Sequence, residues 1–285
     1  MGGGMTGTLF CFGLSYSANT LAERLAARGW KIRGTTRRPE KAGALAARSW
    51  LMFPFDRSRP LQPEALAGVS HVLTSIAPDE QGDPALDLHA ADLQGVDWVG
   101  YLGTTAVYGD RQGGWVDEDT PIEPTLARAD RRARAEAAWL DSGLPVHIFR
   151  LAGIYGPGRN AFVNLKEGTA RRIVKPGQVF SRIHVEDIAT VLEASIGRPR
   201  PGAVYNVCDD EPAPPDQVVT HAAELLGVEP PPAQDYETAE LSPMARTFYR
   251  DNRRVRNRRI KEELGVRLAY PSYREGLAAL LAIDG

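Results

Sequence analysis

The N-terminal segment constrains the fold more than any other part of the chain. Thr8–Phe12 is a short apolar run, Asn19–Arg28 places its apolar residues on one helical face, and Lys31–Thr35 resumes as a second run after a glycine. This order predicts a strand–helix–strand unit of about 30 residues with a right-handed crossover. We therefore expect a parallel sheet with helices on both of its faces.

The turn between the first strand and the helix has the pattern of a phosphate-binding turn. Against the dinucleotide fingerprint G-x-G-x-x-G/A, the chain keeps Gly13 and the permitted alanine Ala18, but Ser15 replaces the middle glycine. Backbone N–H groups at a helix N-terminus favour bound phosphate. We expect Gly13, Ser15, Tyr16 and Ser17 to hold a pyrophosphate. The alternative is an ordinary strand-to-helix turn.

The residues after the second strand bear on the choice of cofactor. Thr36 is followed by Arg37 and Arg38, whereas an NAD site would carry an acidic residue here to bind the ribose 2′-hydroxyl. Arginine pairs in a bidentate manner with a 2′-phosphate. We predict that the cofactor is NADP, with NAD possible. Arg37 is the expected ligand of the 2′-phosphate, and Arg38 is expected to be a second phosphate ligand or to stack on adenine. The alternative is a solvated basic turn.

Length and composition are typical of an enzyme-sized globular protein. The chain has 285 residues, 43% of them hydrophobic, and a formal net charge of −2. No apolar run reaches the roughly 18 to 20 residues of a membrane span, and a signal-peptide pattern is lacking, so we expect a cytoplasmic protein without membrane contact. Cys11 and Cys208 have no metal-type spacing and are expected to be small core residues, with no metal site.

Further strand-like and helical segments extend the pattern. His71–Ala77, Trp98–Leu102 and Val146–Leu151 are expected core strands, and Ala129–Asp141 is an expected helix. They predict an α/β fold with a doubly wound parallel sheet. Residues 1–165, with further elements from about 176–210, would form the cofactor-binding core, and 166–285 would supply mainly a small C-terminal substrate lobe interleaved with it.

Four segments, in order, carry a family resemblance. They are Phe12–Ala18, Leu102–Gly109, which resembles S-S-x-x-V-Y-G, Arg150–Gly158, which resembles R-x-x-x-V-Y-G-P-G, and Arg182–Asp187, which resembles H-V-x-D. The chain resembles the extended and atypical short-chain dehydrogenase/reductase superfamily, specifically the NAD-dependent epimerase/dehydratase family. The resemblance implies a Rossmann fold, a nicotinamide cofactor and a small-molecule substrate.

The resemblance also assigns site residues. Thr104 matches the serine or threonine that hydrogen-bonds the substrate oxygen beside the cofactor, and Asp56 takes the place of the acidic residue that contacts adenine. Ser75, Ile76 and Ala77 match the cofactor-lining end of the fourth strand.

The catalytic Tyr-x-x-x-Lys dyad of the family is missing. When the family pattern is aligned with Pro124 and Glu136 as its ends, Arg128 stands at the tyrosine and Arg132 at the lysine, and no Tyr-x-x-x-Lys occurs elsewhere. A phenol beside an ammonium can shuttle a proton, whereas a guanidinium group cannot. Another acid would be needed, and the candidates are Tyr108, Tyr155 or a water held by Arg132.

The arginines of this segment have a second interpretation. They could form the solvated face of an alanine-rich helix, pairing with Asp130 and Glu136, or one or two could point into a cleft and bind phosphate or carboxylate. Arg150 could likewise be a strand-end ion pair. His184 could be a packing histidine or, like Tyr155, contact substrate.

A second basic run lies between Arg250 and Lys261. A nucleic-acid partner is disfavoured because Glu262 and Glu263 follow, the pI is about 6.2, and interleaved aromatic residues are lacking. The resemblance places Arg258 in the substrate lobe, where such a lining would suit an acidic substrate.

Two functions therefore remain open. The first is an NADP-dependent oxidoreductase or epimerase/dehydratase-like enzyme that acts on a small polar substrate with a nonstandard proton donor. The alternative is a noncatalytic NADP(H)-binding sensor or regulatory protein. Either would be a monomer or a homodimer.

Overall fold

The computed structural model describes residues 6–37 and 48–285, and the chain divides into two compact units, each assembled from three stretches of sequence. The first unit comprises Met1–Gly103, Asp130–Arg150 and Ala189–Tyr205, and the second comprises Thr104–Ala129, Leu151–Ile188 and Asn206–Gly285.

The strands of the described residues alternate with helices along the chain. They are β1 Thr8–Phe12, β2 Lys31–Thr36, β3 Leu51–Pro54, β4 His71–Thr74, β5 Trp98–Thr104, β6 Trp115–Val116, β7 Val146–Leu151, β8 Gly153–Tyr155, β9 Arg172–Val174, β10 Arg182–His184, β11 Val204–Val207, β12 Ala233–Asp235 and β13 Arg254–Val255.

The helices follow from capping residues and apolar periodicity. They are α1 Tyr16–Ala26, α2 Pro63–Leu66, α3 Pro84–His89, α4 Ala127–Leu140, α5 Ala161–Lys166, α6 Val185–Gly197, α7 Pro215–Leu226, α8 Pro243–Arg250, α9 Arg258–Glu262 and α10 Tyr273–Asp284, with a 3₁₀ helix at Thr105–Tyr108.

Seven strands form one parallel sheet flanked by helices, which confirms the predicted fold class. The strand order is β11-β7-β5-β4-β1-β2-β3. All five residues of β1 are buried, as expected for a parallel strand covered on both faces. Leu9 of β1 pairs with Ile32 of β2 on one side and with His71 of β4 on the other. The strand order therefore reverses beside β1, and such a switch point is where open α/β sheets bind ligands.

Helix α1 begins three residues earlier than its apolar pattern predicts. Ser15 is the N-cap, and its hydroxyl accepts a hydrogen bond from the Ala18 amide at 3.3 Å. Caps of this kind stabilise a helix by about 1 kcal/mol. Gly29, at φ +84°, then lets the chain turn into β2. The N-terminus of α1 therefore lies directly after the turn at Gly13.

A buried ion pair joins α4 to β7 within the first unit. The Arg150 Nε donates to the Glu136 carboxylate oxygens at 2.9 and 3.2 Å, and its Nη2 donates to the same carboxylate. Both side chains are at most 5% exposed. The ion pair expected for Arg150 is confirmed. The expectation that Glu136 pairs with the arginines of its own helix is wrong, because its side chain points into the core.

The second unit contains three two-stranded parallel pairs, β8 with β10, β9 with β12 and β6 with β13. Its apolar core includes Phe162 of α5, Ala222 of α7 and Leu277 of α10, each at most 1% exposed. Side-chain caps begin two of these helices: Asn160 caps α5 and Ser272 caps α10.

Cys11 and Cys208 are buried free thiols, which confirms their role as small core residues. Within residues 6–37 and 48–285, no helix has both the length and the apolar character needed to cross a membrane.

Candidate functional site

The turn after β1 requires glycine for two separate reasons. Gly13 has φ +81°, a conformation that other residues rarely adopt. A Cβ atom at this position would lie 2.8 Å from the Cγ2 atom of Ile76. The Gly13 amide donates to the Thr35 hydroxyl at 2.8 Å. The backbone conformation and the close packing therefore both require glycine at position 13, the first residue of the dinucleotide fingerprint.

The residues after β4 hold this turn from the other side. The Ser75 hydroxyl donates to the Gly13 carbonyl oxygen at 2.6 Å, and Ile76 packs against the same glycine. Ala77 follows them and is exposed. The ends of β1 and β4 are thus tied together at the switch point of the sheet.

The N-terminus of α1 completes the turn. Tyr16 and Ser17 are its first residues, and its first turn contains no acidic side chain. The dipole of this 11-residue helix favours a negative charge at its N-terminus. A glycine turn without room for a Cβ, followed by a helix N-terminus, fits the pyrophosphate of a dinucleotide.

The three candidate contacts to the adenosine part of the cofactor are exposed or lie outside the described residues. Arg37 follows β2 and is exposed, whereas Arg38 lies outside the described residues. Asp56 accepts hydrogen bonds from the Ser58 amide at 2.9 Å and from the Ser58 hydroxyl at 2.6 Å. The hydroxyl bond is the largest of several effects that lower the pKa of Asp56, so this side chain stays a carboxylate near neutral pH.

Arg132, at the position of the family's lysine, does not lie on a solvated helix face. Its Nη1 donates to the carbonyl oxygen of Ile76 at 2.9 Å and to that of Leu102 at 3.2 Å. The same nitrogen lies 3.3 Å from the hydroxyl oxygen of Tyr101. Burial raises the pKa of Tyr101 to about 12, so this phenol is neutral beside the guanidinium. Arg132 therefore connects the C-terminal ends of β4 and β5.

The other arginines of this segment differ from Arg132. The guanidinium of Arg128, at the position of the family's tyrosine, lies 4.9 Å from the ring centroid of Phe248 in α8. Arg134 is 65% exposed and pairs with Asp130 at 3.1 Å. The solvated-face interpretation is therefore correct for Arg134 and wrong for Arg132.

Thr104 begins the segment that resembles S-S-x-x-V-Y-G. Its hydroxyl accepts a hydrogen bond from the Ala106 amide at 3.1 Å and caps the 3₁₀ helix. Tyr108, the last residue of that helix, is fully buried, and its hydroxyl donates to the Asn206 side-chain oxygen at 2.8 Å. The Tyr108 phenol therefore has a structural hydrogen-bond partner.

Tyr155 and His184 pack together in the second unit. Their ring centroids are 5.2 Å apart in an edge-on arrangement. The Tyr155 hydroxyl donates to the Ser272 carbonyl oxygen at 3.3 Å, and burial raises the pKa of this phenol well above its ordinary value. Burial lowers the pKa of His184 to about 4, so its imidazole is neutral at pH 7. Its Nδ1 accepts a hydrogen bond from the Glu186 amide at 3.2 Å.

Arg258 lines a cavity of about 440 Å³ in the second unit. Its side chain is 80% exposed and lies 3.5 Å from Glu262. Seven of the lining residues are acidic and three are arginines, so the expectation of a lining suited to an acidic substrate is wrong for this cavity. The lining residues are Trp115, Asp117, Glu118, Asp119, Asp209, Asp210, Val255, Arg256, Asn257, Arg258, Arg259, Glu262 and Glu263.

Sequence reasoning missed Asp209, which is only 1% exposed. The signal was present in two acidic triplets, Asp117–Asp119 and Asp209–Glu211, which stand far apart in the sequence. Three arginines of the basic run, Arg256, Arg258 and Arg259, line the same cavity as residues of these triplets.

Comparison with known proteins places the fold. A conserved protein of unknown function from Silicibacter pomeroyi is 56% identical, with a TM-score of 0.89 over 97% of this chain and 98% of that one. A putative NAD-dependent epimerase/dehydratase from Methylobacillus flagellatus is 25% identical, with a TM-score of 0.72 over 97% and 98% of the two chains. The chain shares the fold of epimerase/dehydratase structures of the extended short-chain dehydrogenase/reductase type. No family model matches it.

Other similar proteins differ in their described activities. Protein YeeZ of Escherichia coli K12 is 27% identical over 77% of this chain and 84% of its own length. A 3-diazoavenalumate denitrifying reductase from Streptomyces is 30% identical over 57% of this chain and 58% of its own length. A dTDP-glucose 4,6-dehydratase from Streptomyces venezuelae, with NAD and TYD bound, shares the fold with a TM-score of 0.77 over 98% and 96% of the chains, at 18% identity.

Proposed function

We propose that this chain is a member of the extended short-chain dehydrogenase/reductase superfamily, that it binds NADP(H) at the turn between β1 and α1, and that it acts as an NADP-dependent oxidoreductase or epimerase/dehydratase-like enzyme on a small polar substrate. The turn at Gly13 carries the proposal, because a glycine at positive φ leads directly into a helix N-terminus, whose backbone N–H groups and dipole favour a bound pyrophosphate. The Streptomyces venezuelae structure with NAD bound has the same fold, which supports a nicotinamide dinucleotide.

The preference for NADP over NAD rests on charge. Arg37 is exposed directly after β2, and neither Thr36 nor Arg37 offers a carboxylate to a ribose hydroxyl. Exposed arginine can form a charge-assisted, bidentate pair with the 2′-phosphate that only NADP carries.

The nicotinamide would supply or accept a hydride when bound, and the residues of the chain would orient the substrate. By resemblance, Thr104 hydrogen-bonds the substrate oxygen. The relative described as a denitrifying reductase supports reduction as the type of reaction.

The proton donor differs from that of the family. Arg128 and Arg132 stand in place of the dyad, and a guanidinium group does not release a proton at neutral pH. The hydroxyls of Tyr108 and Tyr155 each donate to a partner in the protein. These engaged phenols favour a water as the donor and also support the second candidate, a noncatalytic NADP(H)-binding sensor or regulatory protein.

Calorimetry with NADPH and NADH tests the cofactor proposal. We expect the unmodified protein to bind NADPH more tightly than NADH. Arg37→Ala should weaken the binding of NADPH by about 1.5 to 3 kcal/mol, roughly tenfold to hundredfold in affinity, and should leave the affinity for NADH nearly unchanged. Arg28→Ala is the matched control, because Arg28 is also exposed and pairs with Glu193. Equal affinities of the unmodified protein for both nucleotides would refute the NADP assignment.

A second experiment locates the cofactor. Ser15→Asp and Ser15→Asn both retain an N-cap for α1, so both variants should fold. Only aspartate adds a negative charge where the pyrophosphate is proposed to bind, so only Ser15→Asp should lose the thermal stabilisation by NADPH. Normal NADPH binding by Ser15→Asp would place the cofactor elsewhere.

Turnover separates the two candidate functions. If the protein is an enzyme, it should oxidise NADPH in the presence of at least one member of a panel of small carbonyl compounds. The loss of absorbance of the reduced nicotinamide measures this oxidation. A sensor should bind NADPH with the same affinity and oxidise none of them.

A further inference from the structure

The pairing of β4 with β5 stops at the carboxyl edge of the sheet, where the cofactor is proposed to bind. The last paired residues are Thr74 and Tyr101, after which β4 ends while β5 continues. Beyond this pair the two strands no longer supply hydrogen-bond donors to each other. The backbone carbonyl groups of Ile76 and Leu102, which follow the last pair, need donors from elsewhere if they are not to depend on solvent.

Arg132 of α4 supplies a donor at this gap. Its Nη1 donates to the carbonyl oxygen of Ile76 at 2.9 Å and to that of Leu102 at 3.2 Å, so a single nitrogen binds the backbone after both strands. Arg132 stands one helical turn before Glu136, whose carboxylate is held by the buried guanidinium of Arg150 in β7. This buried ion pair fixes α4 on the sheet and thereby fixes the base of the Arg132 side chain.

The backbone that Arg132 holds also braces the phosphate turn. The Ser75 hydroxyl donates to the Gly13 carbonyl oxygen at 2.6 Å, and the Ser75 amide donates to the Phe12 carbonyl oxygen at 2.9 Å. The Cγ2 atom of Ile76 lies 2.8 Å from the place that a Cβ atom at Gly13 would take. Ser75 and Ile76 therefore fix the turn from one side, and α1 begins three residues after Gly13.

We propose that Arg132 is a positioning residue of the cofactor site, which acts through Ile76 to hold the Gly13 turn in the shape that binds pyrophosphate. A turn that is already held in its bound shape loses less conformational entropy on binding. The guanidinium that replaces the family's lysine thus contributes to cofactor affinity through the backbone, without a contact to the nicotinamide half. All of these residues lie in the first unit. The proposal rests on the proposed cofactor binding.

Calorimetry of Arg132→Met with NADPH and with ADP tests this route. Methionine keeps an unbranched side chain and removes every donor. ADP carries an adenosine and a pyrophosphate but no nicotinamide half. We expect both dissociation constants to rise by the same factor, roughly threefold to tenfold, because the turn that binds the pyrophosphate is less well held. If Arg132→Met does not fold, Arg132→Gln replaces it, with an equal, severalfold loss for both nucleotides expected.

Ile148→Val is the matched control for stability. Ile148 of β7 is fully buried in the core of the first unit, and the loss of one buried methyl group should lower the melting temperature by several degrees. Because this side chain is remote from the turn in the hydrogen-bond network, both nucleotides should bind within about twofold of the unmodified protein. A loss of affinity as large as that of Arg132→Met would show a general effect of lower stability and would overturn the proposal.

A double-mutant cycle tests the role of Ile76. Ile76→Ala removes the side chain that packs against Gly13 and keeps the carbonyl oxygen that Arg132 binds. If Arg132 acts through Ile76, Arg132→Met should weaken NADPH by a smaller factor in the Ile76→Ala protein than in the unmodified protein. Equal factors in the two proteins would mean that the residues act independently, which overturns the proposal.

The nucleotide pair separates this proposal from the proposed function. A loss confined to NADPH, with ADP unchanged, would mean that Arg132 contacts the nicotinamide half directly, and unchanged affinities for both nucleotides would mean that it positions nothing. Either result overturns the positioning role and leaves the cofactor proposal standing. Absence of NADPH binding by the unmodified protein would refute both.

Discussion

Glu136 of the first unit and Asp209 of the second are both buried carboxyl groups, and they differ in how their charge is compensated. Glu136, in the first unit, receives several hydrogen bonds from the guanidinium of Arg150. Asp209, in the second unit, receives one hydrogen bond from an amide, and its Oδ2 has no donor among the described residues. Burial raises the pKa of Asp209, and the charge of Arg182 opposes this only in part. Both side chains are almost inaccessible to solvent.

The difference separates a buried charge with a complete set of hydrogen bonds from one whose set is incomplete. A buried charge with a complete set of partners fixes the packing of α4 on the sheet and needs nothing further. A buried carboxyl group with an incomplete set of hydrogen bonds has a raised pKa, because burial leaves its charged form poorly solvated. The following predictions test this contrast.

The largest effect is expected when the complete pair is broken. Glu136→Gln leaves the buried Arg150 guanidinium without a counter-charge, and we expect the free energy of unfolding to fall by about 3 to 5 kcal/mol in urea titrations. Asp130→Asn is the control in the same helix, because it breaks an exposed pair and should cost at most about 0.5 kcal/mol. If both variants lost the same free energy of unfolding, the buried pair would stabilise the protein no more than the exposed pair does.

The second effect concerns pH. Because the pKa of Asp209 is raised from 3.8 to about 8, the folded protein retains a proton that the unfolded chain releases, so stability is lost as pH rises from about 4 to 8. Between pH 5 and pH 8 the unmodified protein should lose about 3 kcal/mol relative to Asp209→Asn, which lacks this titration. Parallel pH profiles of the two proteins would show that Asp209 is ionised throughout.

The smallest effect distinguishes the arginines of α4. Arg132→Ala removes the donor to the Ile76 and Leu102 carbonyl oxygens, and should cost about 1 to 2 kcal/mol of stability. Arg134→Ala removes an exposed pair and should cost at most about 0.5 kcal/mol. A loss for Arg132→Ala no larger than that for Arg134→Ala would mean that its hydrogen bonds contribute nothing in solution.

Much of the fold could be predicted because its signals are local. The bounds of β1 and β7 coincide with the predicted segments. α1 starts earlier than its apolar pattern because the Ser15 cap, and not hydrophobic periodicity, sets its first residue. β4 ends at Thr74, before the predicted Ala77, because Ser75 leaves the strand to hold Gly13.

The candidate site was only partly predictable. Gly13 and Ser15 follow a spacing of a few residues, so the sequence indicates the turn directly. The partners of Arg132 are 56 and 30 residues away in the chain, and no pattern around the arginine indicates them.

The sequence by itself determined the strand–helix–strand unit, the glycine turn and the absence of the Tyr-x-x-x-Lys dyad, because each of these depends on residue types at short, fixed spacings. Only the tertiary structure decided that Arg132 joins two strand ends, that Glu136 pairs with Arg150, and that Asp209 is buried. The physical reason is that burial sets the cost of a charge, and burial depends on residues that the fold brings together from distant parts of the chain.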